Sequence, residues 1–158
     1  MRKRLITPIP HDASPSLNEG WLDLDGAAVV AVTSEEKEYP VEAALAPGGV
    51  PGWRAADSGV QTIRLIFDRP QRLRRIALVF EEPETERTQE FVLRWSPDGG
   101  RSFREIVRQQ WNFRPPQTIR EAEEYQVDLS GVTVLELVIA PDISGGAAHA
   151  SLRSLRVA

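Results

Sequence analysis

The sequence predicts an all-β sandwich of about eight antiparallel strands. Short runs of apolar and β-branched residues recur at close spacing, and most of them alternate with polar residues at a period of two. Twelve prolines and eleven glycines are spread along the 158 residues, which favours many short elements over long helices. No linker or internal repeat divides the chain. We therefore expect one sandwich domain over residues 26–158, preceded by an extended lead-in over residues 1–25.

The N-terminal half of the sandwich is predicted to contain three strands and one helical turn. Residues 28–33 are a β-branched run that predicts the first strand. Residues 39–45 predict one helical turn, because a proline and two glycines follow at once. Period-two alternation predicts strands over residues 61–68 and 73–80, separated by a turn at residues 70–72.

The C-terminal half begins with a hairpin. Residues 91–95 alternate as a strand, Ser96-Pro97-Asp98-Gly99-Gly100 predicts a tight turn, and the return strand runs through Val107. Residues 111–116 are interpreted as a loop because two prolines end them. Three more strand runs complete the set: residues 125–129, 132–139 and 152–157.

Composition excludes several kinds of site. The chain has no cysteine, so it can form no disulfide, thiolate nucleophile or cysteine zinc site. Its net charge of −4 disfavours a dedicated nucleic-acid binder. No apolar run approaches the ~20 residues of a membrane helix, and Pro8 and Pro10 interrupt any signal-peptide core. We expect a cytoplasmic protein, and its preference for arginine over lysine is typical of a bacterial, GC-rich genome.

The order of these motifs resembles a known family. Val32-Thr33-Ser34, Pro40-Val41-Glu42-Ala43-Ala44-Leu45, the Ser96-Pro97-Asp98-Gly99 turn before Phe103, and a terminal Ala150-Ser151-Leu152-Arg153-Ser154-Leu155-Arg156-Val157 follow one another. This succession resembles the discoidin, or coagulation factor 5/8 type C, family of galactose-binding-like jelly rolls. The resemblance implies an eight-stranded sandwich whose loops at one end bind glycans, phospholipid head groups or protein partners.

The chain departs from that family where many members bind calcium. Their acidic turn is replaced here by Leu45-Ala46-Pro47-Gly48-Gly49, and the last strand carries Arg153 and Ser154. Calcium requires several oxygen ligands, and the carboxylates are missing. We therefore expect no metal and no cofactor.

Six residues are predicted to contact a ligand. Trp111, Asn112 and Arg114 combine an aromatic face with planar donors in one predicted loop, although Trp111 and Phe113 could instead end a strand and pack inward. Trp53 is expected to be structural, which leaves its neighbour free to bind. The remaining candidates are Arg54, Asp142 and His149.

The leading functional hypothesis is a non-catalytic module that binds a carbohydrate or a protein partner. The alternative is a repair scaffold that contacts DNA, because the Trp53 to Ile63 stretch resembles the N-terminal domain of the X-ray repair cross-complementing scaffold protein, and arginines cluster at residues 72–75 and 101–108. An enzyme with paired carboxylates is disfavoured, since glutamates such as Glu121 to Glu124 are predicted to lie in solvated turns, so no catalytic residue is expected. Neither His11 nor His149 has the partners of a zinc or catalytic site. Residues 1–25 could wrap the sandwich or mediate homo-oligomerisation.

Overall fold

A computed structural model describes residues 20–48 and 51–158. Eight β-strands and two short helices are formed within these residues. The elements are α1 (Leu24–Ala27), β1 (Ala28–Val32), α2 (Glu42–Leu45), β2 (Trp53–Ser58), β3 (Gln61–Glu81), β4 (Arg87–Ser96), β5 (Arg104–Phe113), β6 (Arg120–Ala140), β7 (His149–Leu152) and β8 (Ser154–Val157). Both helices have four residues, so no described helix could span a membrane.

Two long strands, β3 and β6, build both layers of the sandwich. They pair antiparallel along their whole length, with Gln61 opposite Ile139 and Glu81 opposite Arg120. The two halves of each long strand also pair with different neighbours. The order β1-β3-β6-β4-β5 forms one layer, and β8 pairs with the second half of β3 in the other layer. β2 and β7 form a separate antiparallel pair.

β3 and β6 each bend sharply near the middle of the strand. Both ends of each strand therefore lie at the same end of the sandwich, opposite the bend, and this end is here called the open end. The β3–β6 register is irregular between Ile66 and Arg75, and Pro70 lies within this irregular stretch. Gly131, at a φ of 72°, lies on the β6 side of the same corner, where a positive φ favours glycine. The turn predicted at residues 70–72 is therefore wrong. The chain bends there through a bulge, where proline's missing donor is tolerated, and β3 continues.

The apolar residues of alternate strand positions meet between the two layers. Ile63, Leu65, Ile76, Leu78 and Phe80 of β3 are at most 1% exposed. Phe80 contacts Phe91 of β4 with ring centroids 5.2 Å apart, although these two strands are not paired. Further buried members of this core are Trp53, Leu73, Leu93, Trp95, Phe113, Leu135, Leu137, Ile139, Leu152, Leu155 and Val157. The all-β sandwich with eight strands is thus confirmed.

Several boundaries differ from the sequence prediction. The runs at residues 125–129 and 132–139 belong to one strand, β6, and the last run divides into β7 and β8 at Arg153. Residues 111–113 belong to β5 and not to a loop. Residues 121–124 lie in β6 and not in a solvated turn, and Glu121 is completely buried because its position points between the layers. The helical turn and the residue 96–100 hairpin are confirmed.

The described part of the lead-in is anchored to the sandwich. The amide of Leu22 donates to the carbonyl of Val157 at 2.8 Å, and Trp21 lies against the guanidinium of Arg75 at 4.1 Å. α1 begins within the predicted lead-in, with Asp23 accepting from the amide of Asp25 at the helix start. Residues 1–19, including His11, lie outside the described residues, so the prediction of self-association through this segment stays a prediction.

Candidate functional site

Two adjoining clefts open at the open end of the sandwich. The larger, here the His149 cleft, has a volume of about 650 Å³ and lies between the β2–β7 pair and the loops at residues 82–86 and 141–148. The smaller, here the Asn112 recess, has a volume of about 190 Å³. Asp142 lines both of them. Of the six predicted ligand residues, Arg54, Asp142 and His149 line the cleft, Asn112, Arg114 and Asp142 line the recess, and Trp111 lines neither.

His149 is held with one ring nitrogen available. It is the first residue of β7, and its Nδ1 lies 2.9 Å from the carbonyl oxygen of Ala55 on the neighbouring strand. A carbonyl oxygen only accepts hydrogen bonds, so Nδ1 carries the proton. In the neutral ring Nε2 is then an acceptor, and no described residue bonds to it. A ligand hydroxyl can donate to this nitrogen.

Arg54 presents its guanidinium at the same cleft. β2 places the side chain outward, between the buried Trp53 and Ala55, and 52% of it is exposed. Its Nε lies 3.6 Å from Glu36 Oε2, which orients the arginine and leaves its terminal NH₂ groups without a described partner. A planar guanidinium can donate to two oxygens of one ligand. Trp53 is 1% exposed and its indole donates to the carbonyl of Ser34 at 3.0 Å, as expected of a structural residue.

Glu82 lies in the β3–β4 loop at one side of the cleft, where its carboxylate stabilises the loop. Its Oε1 accepts from Arg87 Nε at 2.8 Å, and its Oε2 accepts from the backbone amides of Glu84 and Thr85 at 3.1 Å. Burial acts to raise the pKa of Glu82, but the hydrogen bonds from Arg87 and the two amides outweigh it and lower the pKa. Glu82 is therefore ionised at neutral pH and fixes the loop.

One carboxylate oxygen of Asp142 is hydrogen-bonded within its own loop. Its Oδ1 accepts from the hydroxyl of Ser144 at 2.7 Å and from the amide of Ser144 at 3.1 Å. These bonds from Ser144 lower the pKa of Asp142 against the opposing effect of burial, and the backbone amide of Thr88 and the charge of Arg87 lower it further. No side chain of the described residues donates to Oδ2, so this oxygen can accept a hydrogen bond from a ligand in the cleft or the recess.

The Asn112 recess is built over a buried arginine. Arg87 stacks on the Phe113 ring at 4.8 Å, and its Nη1 donates to the carbonyl of Pro141 at 2.8 Å. Its Nη2 is buried with no partner among the described residues. Asn112 Oδ1 accepts from the hydroxyl of Thr88 at 2.7 Å, and Asn112 lines the recess together with the exposed Arg114.

Trp111 is half-buried and packs against the hydrophobic core, and its indole nitrogen is buried without a described partner. Phe113 is fully buried. The inward packing that the sequence left open for these two aromatic residues is therefore what the structure has, since strand β5 continues through both.

The cleft also contains residues that the sequence reasoning missed. Tyr39, Glu81, Glu84 and Arg153 line it together with the predicted residues. The amide of Tyr39 donates to the carbonyl of Glu36 at 2.9 Å and closes a turn, and the carbonyl of Tyr39 accepts from the amide of Arg54 at 3.2 Å. The sequence does contain a signal for Tyr39 as a site residue, since an aromatic residue directly precedes the helical turn at Pro40. That turn connects β1 to β2, and β2 carries the predicted ligand residue Arg54.

The two arginine clusters do not form a continuous free basic patch. Arg72 pairs with Asp128 at 2.8 Å, and Arg108 pairs with both Glu90 and Glu105. Arg104 stacks over Trp95 at 5.2 Å. Within the described residues, no group of three or more histidines and carboxylates could hold a metal ion.

Comparison with solved structures finds the same architecture in carbohydrate-binding modules. The family 32 module of NanJ from C. perfringens, in complex with galactose, is 13% identical, with a TM-score of 0.57 over 82% of this chain and 92% of that chain. A pectin-binding carbohydrate-binding module is 17% identical, with a TM-score of 0.61 over 83% and 89% of the two chains. No protein-family model matches the chain, and no curated protein matches it.

The matched fold also occurs as one part of larger enzymes. A Ruminococcus gnavus GH29 fucosidase is 9% identical, with a TM-score of 0.62 over 82% of this chain and 24% of that chain. The alternative of a DNA-repair scaffold finds no support in these comparisons. Because every identity given is below 25%, the comparisons establish the fold alone: the chain has a jelly-roll β-sandwich fold like that of these modules, as the sequence resemblance implies.

Proposed function

We propose that the chain is a non-catalytic carbohydrate-binding module that holds a glycan in the His149 cleft. The observation that carries the proposal is the pairing of His149 Nε2, left free by the bond between Nδ1 and Ala55, with the half-exposed Arg54 in one cleft. An acceptor and a planar donor suit sugar hydroxyls, which both donate and accept. Tyr39 adds an aromatic ring to the same cleft, and such rings pack against the apolar face of a sugar.

The absence of catalysis is supported by the state of the carboxylates. A glycosidase needs one carboxylic acid that is protonated near neutral pH and lies at the bound sugar. The pKa values of Glu82 and Asp142, which line the cleft, are lowered. Glu121, whose pKa is raised to about 8 by burial and by Glu123, is fully buried between the layers and lines neither cleft. The described carboxyl whose pKa is raised therefore lies away from both clefts.

A glycan array followed by isothermal titration calorimetry tests this proposal. We expect binding to a defined oligosaccharide, with Arg54→Ala and His149→Ala each lowering the affinity about tenfold, the loss of one or two polar contacts. Arg72→Ala, an exposed arginine near the corner where β3 bends, is the matched control and should bind as the parent does. Hydrolysis of the bound glycan, or equal affinity in all three variants, would contradict the proposal. Binding of a protein partner instead of any glycan would also contradict it.

A further inference from the structure

The charges that line the His149 cleft are unbalanced. Among the described residues that line it, the four carboxylates of Glu81, Glu82, Glu84 and Asp142 outnumber the two arginines, Arg54 and Arg153. The arginines are also engaged, since Arg54 pairs with Glu36 and Arg153 pairs with Glu81 at 3.2 Å. The positive charge in the cleft is therefore largely compensated before a ligand arrives.

The carboxylates divide into two kinds. Glu81 and Glu82 have arginine partners: Arg153 and Arg120 for the first, Arg87 for the second. Glu84 and Asp142 make no ion pair with any described residue, and Asp142 uses only Oδ1 in its loop. Glu84 is exposed at the rim and Asp142 is half-buried, so both carboxylates can reach a ligand without first breaking an ion pair.

We infer that the His149 cleft selects sugars that carry a protonated amine and rejects sugars that carry a carboxylate. This rests on the proposed function. An ammonium group donates three hydrogen bonds, which Glu84 and Asp142 Oδ2 can accept, while Arg54 and His149 bind neighbouring hydroxyls of the same sugar. A uronate in the same place would face the carboxylates of Glu84 and Asp142, neither of which forms an ion pair with a described residue, and like charges at short range repel.

Three oligosaccharides of equal length test the inference by calorimetry: a glucosamine oligomer, its fully N-acetylated form, and an oligogalacturonate. The first two share one backbone and differ in the amine charge. We expect the glucosamine oligomer to bind at least tenfold more tightly than the N-acetylated form, which is about 1.4 kcal/mol, and the oligogalacturonate to bind most weakly. Added salt should narrow the difference, because rim charges are screened.

Variants separate the cleft from general attraction to an acidic protein. Glu84→Gln and Asp142→Asn should each lower the preference for the amine about threefold to tenfold, whereas Asp128→Asn, an exposed carboxylate near the corner where β3 and β6 bend, should leave it unchanged. Arg54→Ala should weaken the amino and acetylated oligomers alike. Equal affinity for the two oligomers, tighter binding of the oligogalacturonate, or an unchanged preference in Glu84→Gln and Asp142→Asn would overturn the inference while the proposed function stands. No binding to any sugar on the array would overturn the proposed function itself.

Discussion

Two glutamates of strand β6 are almost equally buried but are held in opposite ways. Glu136 is 1% exposed and lies in one cross-strand row with Arg64 and Arg94, which are 48% and 39% exposed. Arg64 Nε donates to its Oε2 at 2.6 Å, and Arg94 Nε donates to its Oε1 at 2.8 Å. Both guanidinium groups also pack on the ring of Phe103, which covers the row from outside.

Glu121 is 0% exposed and has no arginine partner. Gln89 donates to its Oε1 at 3.3 Å, Gln109 lies 3.5 Å from its Oε2, and the carboxyl of Glu123 is hydrogen-bonded to it. Burial, followed by the bond and the charge of Glu123, raises the pKa of Glu121 to about 8. Burial, followed by the charges of the two glutamates, also raises the pKa of Tyr125, whose hydroxyl donates to Gln109.

The difference shows what a buried carboxylate requires in this sandwich. On the outer face of β6, arginines of the adjacent strands reach the carboxylate and keep their own guanidinium groups in water. Between the layers no strand presents an arginine to Glu121, and Arg87 reaches it only through Gln89. A buried charge must be paired or neutralised, so the inner glutamate is neutralised by a proton.

The largest expected effect comes from replacing Glu121 by its neutral isostere. The folded-state pKa of Glu121 is raised from 4.5 to about 8, so its protonated form contributes stability that is complete below pH 4.5 and is lost as the pH rises to about 8. In Glu121→Gln the side chain can still accept a hydrogen bond from Gln89 and donate one to Glu123, but it does not titrate. We expect the variant to match the parent at pH 5 and to be more stable by on the order of 2–3 kcal/mol at pH 9.

Urea unfolding at a series of pH values measures this difference. Ala122→Gln, at the exposed neighbouring position of the same strand, is the control and should leave the pH dependence of the parent unchanged. If Glu121→Gln were less stable than the parent at pH 9, the carboxyl would be ionised and compensated in the fold, and the contrast with Glu136 would disappear.

A smaller effect, and a loss of stability, is expected when Glu136, the glutamate with two arginine partners, is replaced. Glu136→Gln removes the charge from the Arg64–Glu136–Arg94 row but leaves both arginines partly hydrated, so no uncompensated charge is buried. We expect a loss of about 1.5–2 kcal/mol at pH 7, the lower part of the range of hydrogen bonds to charged groups, because both arginines stay partly hydrated. Urea unfolding in low and high salt checks it, and Glu136→Leu distinguishes charge from packing. An unchanged stability in Glu136→Gln would mean that the row contributes nothing beyond filling space.

Much of the fold was predictable because its apolar positions alternate. The strands at residues 61–66, 91–95 and 132–139 place apolar residues on one face at a period of two, which is visible in sequence. The sequence predicts a turn at residues 70–72 because proline is typical of turns as well as of bends in edge strands, and only the pairing partner decides whether a strand reverses or bends. Glu121 was placed in solvent because a run of glutamates carries no sign of which one points between the layers.

The candidate site was predictable only in part. Arg54, Asp142 and His149 were found because they lie beside Trp53 and the terminal motif that the family resemblance covers, and the structure brings them to one cleft. Tyr39 and Glu84 are not among the predicted site residues, because they reach the cleft only in the folded chain. Tyr39 is placed there by its backbone bonds to β2, and Glu84 by the loop that follows β3. The cytoplasmic location and bacterial origin stay predictions.

The smallest effect is expected at a third carboxylate of β6, and it tests whether burial or pairing decides the contribution. Asp128 pairs with Arg72 at 2.8 Å, as close as the contacts of Glu136, but the two side chains are 70% and 54% exposed. Water then replaces either partner at little cost, and screening reduces the attraction. We expect Arg72→Ala to change the free energy of unfolding by no more than about 0.5 kcal/mol at pH 7, measured by urea unfolding beside Glu136→Gln. A loss as large as that of Glu136→Gln would show that the ion pair itself, independent of burial, stabilises this strand.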